Sequence, residues 1–383
     1  MDLTTLTGAL LIAFGLLSTN AVLNSGTVLV DVSVPESIAG DGISPPVAET
    51  IFERELQNAV SIPSVVPPPN IRGAREKTLA AALADALKVE DLTFALQMAI
   101  GFKPARLEGS LIIEDKTPVL LIDGFSGATG PFAVRVAQRE GESVAALIQR
   151  GAVEALWTMQ PYLAALYTFE RELRAGRVDA HQDRIEKTIA ALPDTPINRE
   201  RALLQNLLGI AALFENDVVA AESHFQAAVR SDPANIVPLL NHAFIDLYHD
   251  RYPEAEAKMK RALLPQAMTD NPVLQSTAYS TWAVARFGMR DLPGAEQLLG
   301  RAASVNPQTS TAYELWADFR EDAGDTAAAA TLRERARTNL AYFENYAELA
   351  ILYFEPSWQD GETLKPNRFG KPPGVAITVS QKD

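Results

Sequence analysis

A recurrence of small residues between positions 202 and 341 constrains this chain more than any other feature. Gly209, Ala243, Ala283 and Ala317 form one set, Ala221, Ala255, Ala295 and Ala329 a second, and Ala228, Ala262, Ala302 and Ala336 a third. Within each set the steps are 34, 40 and 34 residues. A period of this length marks a stack of supersecondary units, none of which can bury its apolar face alone. Each period holds two apolar-periodic stretches separated by a polar turn, so the unit is a helical hairpin. Two helices that cross closely need Gly or Ala where they touch, and that is where the small residues recur.

The first unit carries the pattern most fully. Leu208-Gly209 lie on helix A and Asn216-Asp217 at the turn, with Ala221, Phe225 and Ala228 on helix B before Asp232-Pro233. The second uses Ala243, Ala255, Met259 and Ala262, and an insertion over 264–270 precedes Asn271-Pro272. The third uses Trp282-Ala283, Ala295, Leu299, Ala302 and Asn306-Pro307. The fourth uses Trp316-Ala317, Gly324-Asp325, Ala329 and Ala336. These four units, residues 199–341, resemble tetratricopeptide repeats. The fourth departs from the pattern at Arg333, where a bulky apolar residue is expected, and lacks the closing Pro, so the array ends there. Before it, residues 141–198 read as a degenerate leading hairpin: one long helix over 143–174 stopped by Gly176, then a return helix closed by Pro193. After it, Tyr346, Leu349, Ala350 and Tyr353 fall at helical spacing, and 342–355 reads as a capping helix or as a helix that docks a partner. The tail, 356–383, is rich in Pro, Gly and polar residues and reads as extended or disordered.

The resemblance implies an inner groove formed by helix A residues that face away from helix B. These are Leu203, Asn206, Ile210 and Leu213 in the first unit, Leu240, Asn241, Phe244 and Leu247 in the second, and Ser280, Val284 and Phe287 in the third. The fourth unit offers Glu314, Asp318 and Glu321. Some family members grip a peptide's terminal carboxylate with Lys and Arg here, and these positions hold neither. Asn206 and Asn241 are placed to hydrogen-bond an extended peptide backbone. The competing reading is that Leu203, Ile210 and Phe244 simply pack against the neighbouring helix.

Residues 26–140 read as a small α+β domain. A strand over 27–34 is followed by a helix that starts at Ser44-Pro45 and carries Val47, Ile51, Leu56 and Val60 on one face. Short helices are expected over 79–87 and 92–100. Strands over 106–113, 119–122 and 132–136 form an antiparallel meander that the first strand joins. The stretch 28–162 resembles a TolB-like amino-terminal domain. The similar pieces are Asp41-Gly42-Ile43, Leu107-Glu108-Gly109-Ser110, and Ile122-Asp123 before Gly127-Ala128-Thr129-Gly130. The glycines between 124 and 130 precede Pro131 and a strand pattern, with no Gly-Lys-Ser/Thr, and so read as a hairpin rather than a phosphate loop. The fold class expected is an α+β domain followed by an all-α tetratricopeptide-type solenoid of antiparallel helix pairs.

No charged residue appears between Asp2 and Asp31, and 8–17 is an apolar run. Residues 1–25 therefore read as a membrane anchor or signal segment. The expectation is a single transmembrane helix with the soluble part in the periplasm, or export to the periplasm or beyond after cleavage near Thr19-Asn20-Ala21. A formal charge of −14 opposes nucleic-acid binding, which needs clustered Lys and Arg. With no cysteine there is no disulfide, thiolate metal site or thiol nucleophile. His242 and His249 share a helix face two turns apart, too far to ligate one metal together, and no carboxylate set completes a site. No catalytic residue, metal or cofactor is expected. The expected function is a membrane-tethered or exported scaffold that binds a protein or extended peptide in the groove. The alternative is a signalling component whose α+β domain binds a small ligand.

Overall fold

The computed structural model describes residues 27–39, 42–67, 69–73, 105–126, 130–177, 181–264, 271–339, 346, 348–355 and 365–366. The chain divides into two compact units, Met1–Ile62 with Val66–Tyr167, and Pro63–Val65 with Thr168–Asp383.

In the first unit β1 (Thr27–Ser33), β2 (Asn70–Gly73), β3 (Ala105–Glu114), β4 (Thr117–Ser126) and β5 (Gly130–Ala137) form one sheet in the order β2-β1-β3-β4-β5. The meander β3-β4-β5 is antiparallel as expected, whereas β1 lies parallel to both β2 and β3. Parallel neighbours need a crossover. Between β1 and β2 the chain makes the one-turn helix α1 (Glu36–Ala39) and then α2 (Pro45–Val60). Alternation decides which face is covered: Val28, Val30, Val32, Leu107, Leu111, Leu120 and Ile122 are buried, while Asp31, Glu108 and Asp123 are exposed. The glycines near 127 belong to the β4–β5 hairpin, whose last pair is Ser126 with Gly130 at φ +80°. Residues 127–129, and the helices expected over 79–87 and 92–100, lie outside the described residues.

The long helix expected over 143–174 is two helices, α3 (Val144–Met159) and α4 (Pro161–Arg174). Pro161 has no N–H to continue the ladder and drives Gln160 out of helical geometry, to φ −143° and ψ 73°. α3 packs on β4, β5 and α2. Its Gly151 sits so close to the sheet that a Cβ there would fall 2.3 Å from Leu120. This half of the expected leading hairpin therefore belongs to the α+β unit.

The second unit is a run of antiparallel pairs. After α5 (Gln182–Ala191) come α6 (Arg199–Phe214) with α7 (Val218–Ser231), and α8 (Ile236–Tyr248) with α9 (Tyr252–Ala262). Then follow α10 (Pro272–Gly288) with α11 (Leu292–Val305), and α12 (Ser310–Asp322) with α13 (Thr326–Asn339). Asn198, Asn235, Asn271 and Thr309 cap the A helices, each accepting a hydrogen bond from a first-turn N–H. The small-residue positions are the crossing points. A Cβ on Gly209 would lie 2.5 Å from the Phe225 ring, and Ala243, Ala283 and Ala317 are fully buried. The 264–270 insertion follows α9, and residues 265–270 lie outside the described residues.

The membrane expectation is corrected. Among the described residues no helix is long and apolar enough to cross a membrane. The longest, α10, has 17 residues and spans about 25 Å, short of the roughly 30 Å of a hydrocarbon core. The transmembrane helix and the membrane-anchored location read from residues 1–25 fall with that finding. Residues 1–25 themselves lie outside the described residues.

Candidate functional site: the inner groove

The residues expected to line the groove are brought together on the A helices. Leu203, Asn206, Ile210, Leu240, Asn241, Phe244 and Val284 are all buried, while Phe287 is half-buried and stacks face to face on Phe319 at 4.0 Å. What buries two of them is another part of the same chain. Tyr346 and 348–355, including α14 (Ala350–Tyr353), run against α6, α8 and α10, and β6 (Phe354–Glu355) then pairs with β7 (Lys365–Pro366).

The contact is a backbone bracket. Asn241 donates from Nδ2 to the Glu348 carbonyl at 2.6 Å and accepts the Ala350 N–H on Oδ1 at 2.8 Å. Asn206 donates to the same carbonyl at 3.0 Å, and its Oδ1 accepts the second Nδ2 proton of Asn241 at 2.7 Å. The two amides thus orient each other, and a reversed Asn241 would set donor against donor. At 0% and 1% exposure neither could be left unsatisfied cheaply. Three side chains fix the register. The Glu348 carboxylate accepts from Ser64 Oγ at 2.5 Å and from the Val65 N–H at 3.0 Å. Tyr346 accepts from Asn271 Nδ2 through its hydroxyl, and Phe354 meets Phe214 edge to face at 4.9 Å.

Glu348, Ser64 and Val65 were not among the expected site residues. The spacing of Tyr346, Leu349, Ala350 and Tyr353 points to a helix over 342–355, of which Ala350–Tyr353 is helical among the described residues. The signal of its burial is Leu349-Ala-Ile-Leu-Tyr-Phe354, which has no polar side to turn to water. The expected acidic end of the groove is also modified: Arg333 reaches back from α13 to pair with Asp318 and Glu321.

One cluster among the described residues has metal-ligand spacing, Glu222, His242 and Asp246. Its charge is already met by cations. Arg251 pairs with Glu222 at 2.6 Å and with Asp246 at 3.0 Å, and Lys258 binds Asp246. Burial, then the Lys258 charge, pushes His242 down to about 4, with Glu222 opposing and Arg251 adding to the fall. The chemistry is that of an ion-pair network tying the first hairpin to the second. His249 is exposed at the following turn and joins no such cluster. A solvent-open cleft of about 470 Å³ lies between the 194–198 loop and α7. There Arg201 is spent on the Leu192 and Pro193 carbonyls and on Asp194.

No protein-family model and no curated protein matches the chain. Among solved structures it is similar to that of PilF from Pseudomonas aeruginosa, at 16% identity and a TM-score of 0.39, over 50% of this chain and 80% of that one. It is likewise similar to a crystal structure of MamA, at 17% identity and a TM-score of 0.34, over 43% of this chain and 90% of that one. The repeat geometry itself, with fixed crossing, turn and cap positions in four consecutive hairpins, is that of a tetratricopeptide-type array.

Proposed function

We propose that the helical unit is a protein-interaction scaffold whose inner groove receives an extended segment of a partner protein. The observation that supports this reading is the Asn206–Asn241 bracket. Two buried amides from successive A helices hold one carbonyl and the N–H two residues on. That recognises backbone rather than any one side chain, which is how a groove takes an extended peptide. Phe287, half-buried on the third A helix, would add apolar contact. No catalytic constellation is brought together among the described residues.

The test is affinity capture by the full chain against its Asn206→Ala/Asn241→Ala variant, with circular dichroism confirming that both are folded. A partner that depends on the bracket should be recovered at least tenfold less well by the variant. Equal recovery by a folded variant would remove the groove from the function.

A further inference from the structure

We infer that residues 346–355 are a resident pseudo-ligand, and that the groove's partner carries the same chemistry and enters by displacing them. This rests on the scaffold reading above and specifies its ligand. The motif is a carboxylate side chain, then a Leu-Ala step, with an aromatic ring six residues after the carboxylate, as in Glu348-Leu349-Ala350 and Phe354.

Three separate devices on the helical unit read that motif. The asparagine bracket grips the backbone on either side of Leu349. The Ser64 hydroxyl and Val65 N–H hold the carboxylate, and Glu348 is 1% exposed there. Phe214, itself 6.0 Å from Phe169, receives the terminal aromatic. Both donors meet the same oxygen, Oε1, so the clamp reads one side-chain acceptor at that position. The clamp therefore selects a side-chain acceptor over an apolar group.

The resident's own architecture makes it exchangeable. α14 is one turn, too short to hold itself as a helix, and β6 gains only the two-residue partner β7. Neither belongs to the 34-residue register that locks the hairpins to one another. The order of the segment thus comes from the groove, through contacts that an identical segment in trans would reproduce.

The experiment uses the full chain and a fluorescein-labelled synthetic peptide spanning residues 344–356, read by anisotropy. Leu349→Asp/Phe354→Asp in the chain weakens the resident while leaving the groove intact. The peptide should bind this variant at least tenfold more tightly than wild type. Replacing the peptide's Glu348 by Leu, or adding Ser64→Ala/Asn241→Leu to the chain, should undo most of that gain. A variant that keeps its cooperative melting but binds no peptide overturns the inference. So does a variant that loses cooperative melting, since the segment would then be a permanent piece of the core. Partner capture that depends on Asn206 and Asn241 yet ignores excess peptide overturns the inference while leaving the scaffold reading standing. Peptide binding with capture indifferent to both asparagines supports displacement and removes the scaffold reading.

Discussion

At the scale of single residues, the crossing points show how one side chain sets the size of another. In every hairpin the residue 16 positions after the small A-helix residue is Phe225, Met259, Leu299 or Arg333. The one glycine, Gly209, faces the one aromatic of that series, Phe225. Gly209→Ala gains about 1 kcal/mol of helix propensity and meets an overpacking cost of roughly 1–3 kcal/mol. The expected net is about 1 kcal/mol of destabilisation, a melting-temperature drop of about 2–4 °C, with Gly209→Ala/Phe225→Met recovering most of it. A single variant that melts higher than wild type would refute this account. His242 supplies a pH signature. Its proton is refused by the fold until about pH 4, whereas an unfolded histidine takes one near 6.5. Above 6.5 it is neutral in both states and costs nothing, and stability is lost progressively as pH falls from 6.5 to 4. His242→Gln removes that linkage without touching the pairs of Arg251 and Lys258 with Glu222 and Asp246. Its melting temperature should therefore fall by a few degrees less than wild type between pH 7 and pH 4.5. Parallel pH profiles would mean the imidazole is not protected.

At the scale of the element, the hairpin turns repeat as strictly as the crossings. Asn216, Asp250, Arg290 and Gly324 all have positive φ, and their spacing is again 34, 40 and 34. In each, that residue's N–H returns to the carbonyl three back and the next N–H to the carbonyl five back, the glycine-favoring helix stop. Gly176 makes the same stop 40 residues earlier, at the end of α4. The following Asp217, Asp291 and Asp325 then cap the B helices. Arg290 holds a left-handed conformation at φ +66°, where a Cβ is unwelcome. Arg290→Gly should therefore stabilise by about 0.5–1 kcal/mol in chemical denaturation, and a loss of stability would contradict the turn's role. These turns also mark what residue types can and cannot reveal. Asn216-Asp217 and Gly324-Asp325 are legible as turns by composition, but Arg290-Asp291 is legible only by its offset from them. Pro161 announced the break between α3 and α4, and apolar periodicity ran straight across it. The pairing of β1 with β2 was illegible, because four residues after a proline run carry no strand pattern of their own.

At the scale of the molecule, the groove ties successive hairpins together lengthwise. Ordinary stacking couples each hairpin only to its neighbours. The segment 346–355 instead touches Asn206 and Asn241 on two consecutive A helices and Asn271 at the N-cap of the third. The groove-forming residues could be named from the repeat register, since each lies at a fixed offset within its own unit. The occupant could not, because the bracket joins positions 107 and 142 residues apart and periodicity carries no information across that distance. This arrangement gives the array an uneven stability that hydrogen exchange can map. Asn241→Leu keeps an apolar side chain of similar size at the site but orphans the Ala350 N–H and the Asn206 Oδ1. Each orphaned buried group costs about 1–3 kcal/mol. Because the coupling runs through the segment, the amides of 348–354 should lose protection first and those of α6 and α8 next. α12 and α13 should change little, since Arg333 holds them together through Asp318 and Glu321. Uniform deprotection of all four hairpins would show that the array unfolds as one block. Unchanged exchange in 348–354 would show that the bracket does not hold the segment. Either result would defeat the description of residues 346–355 as an occupant that the groove grips and can release.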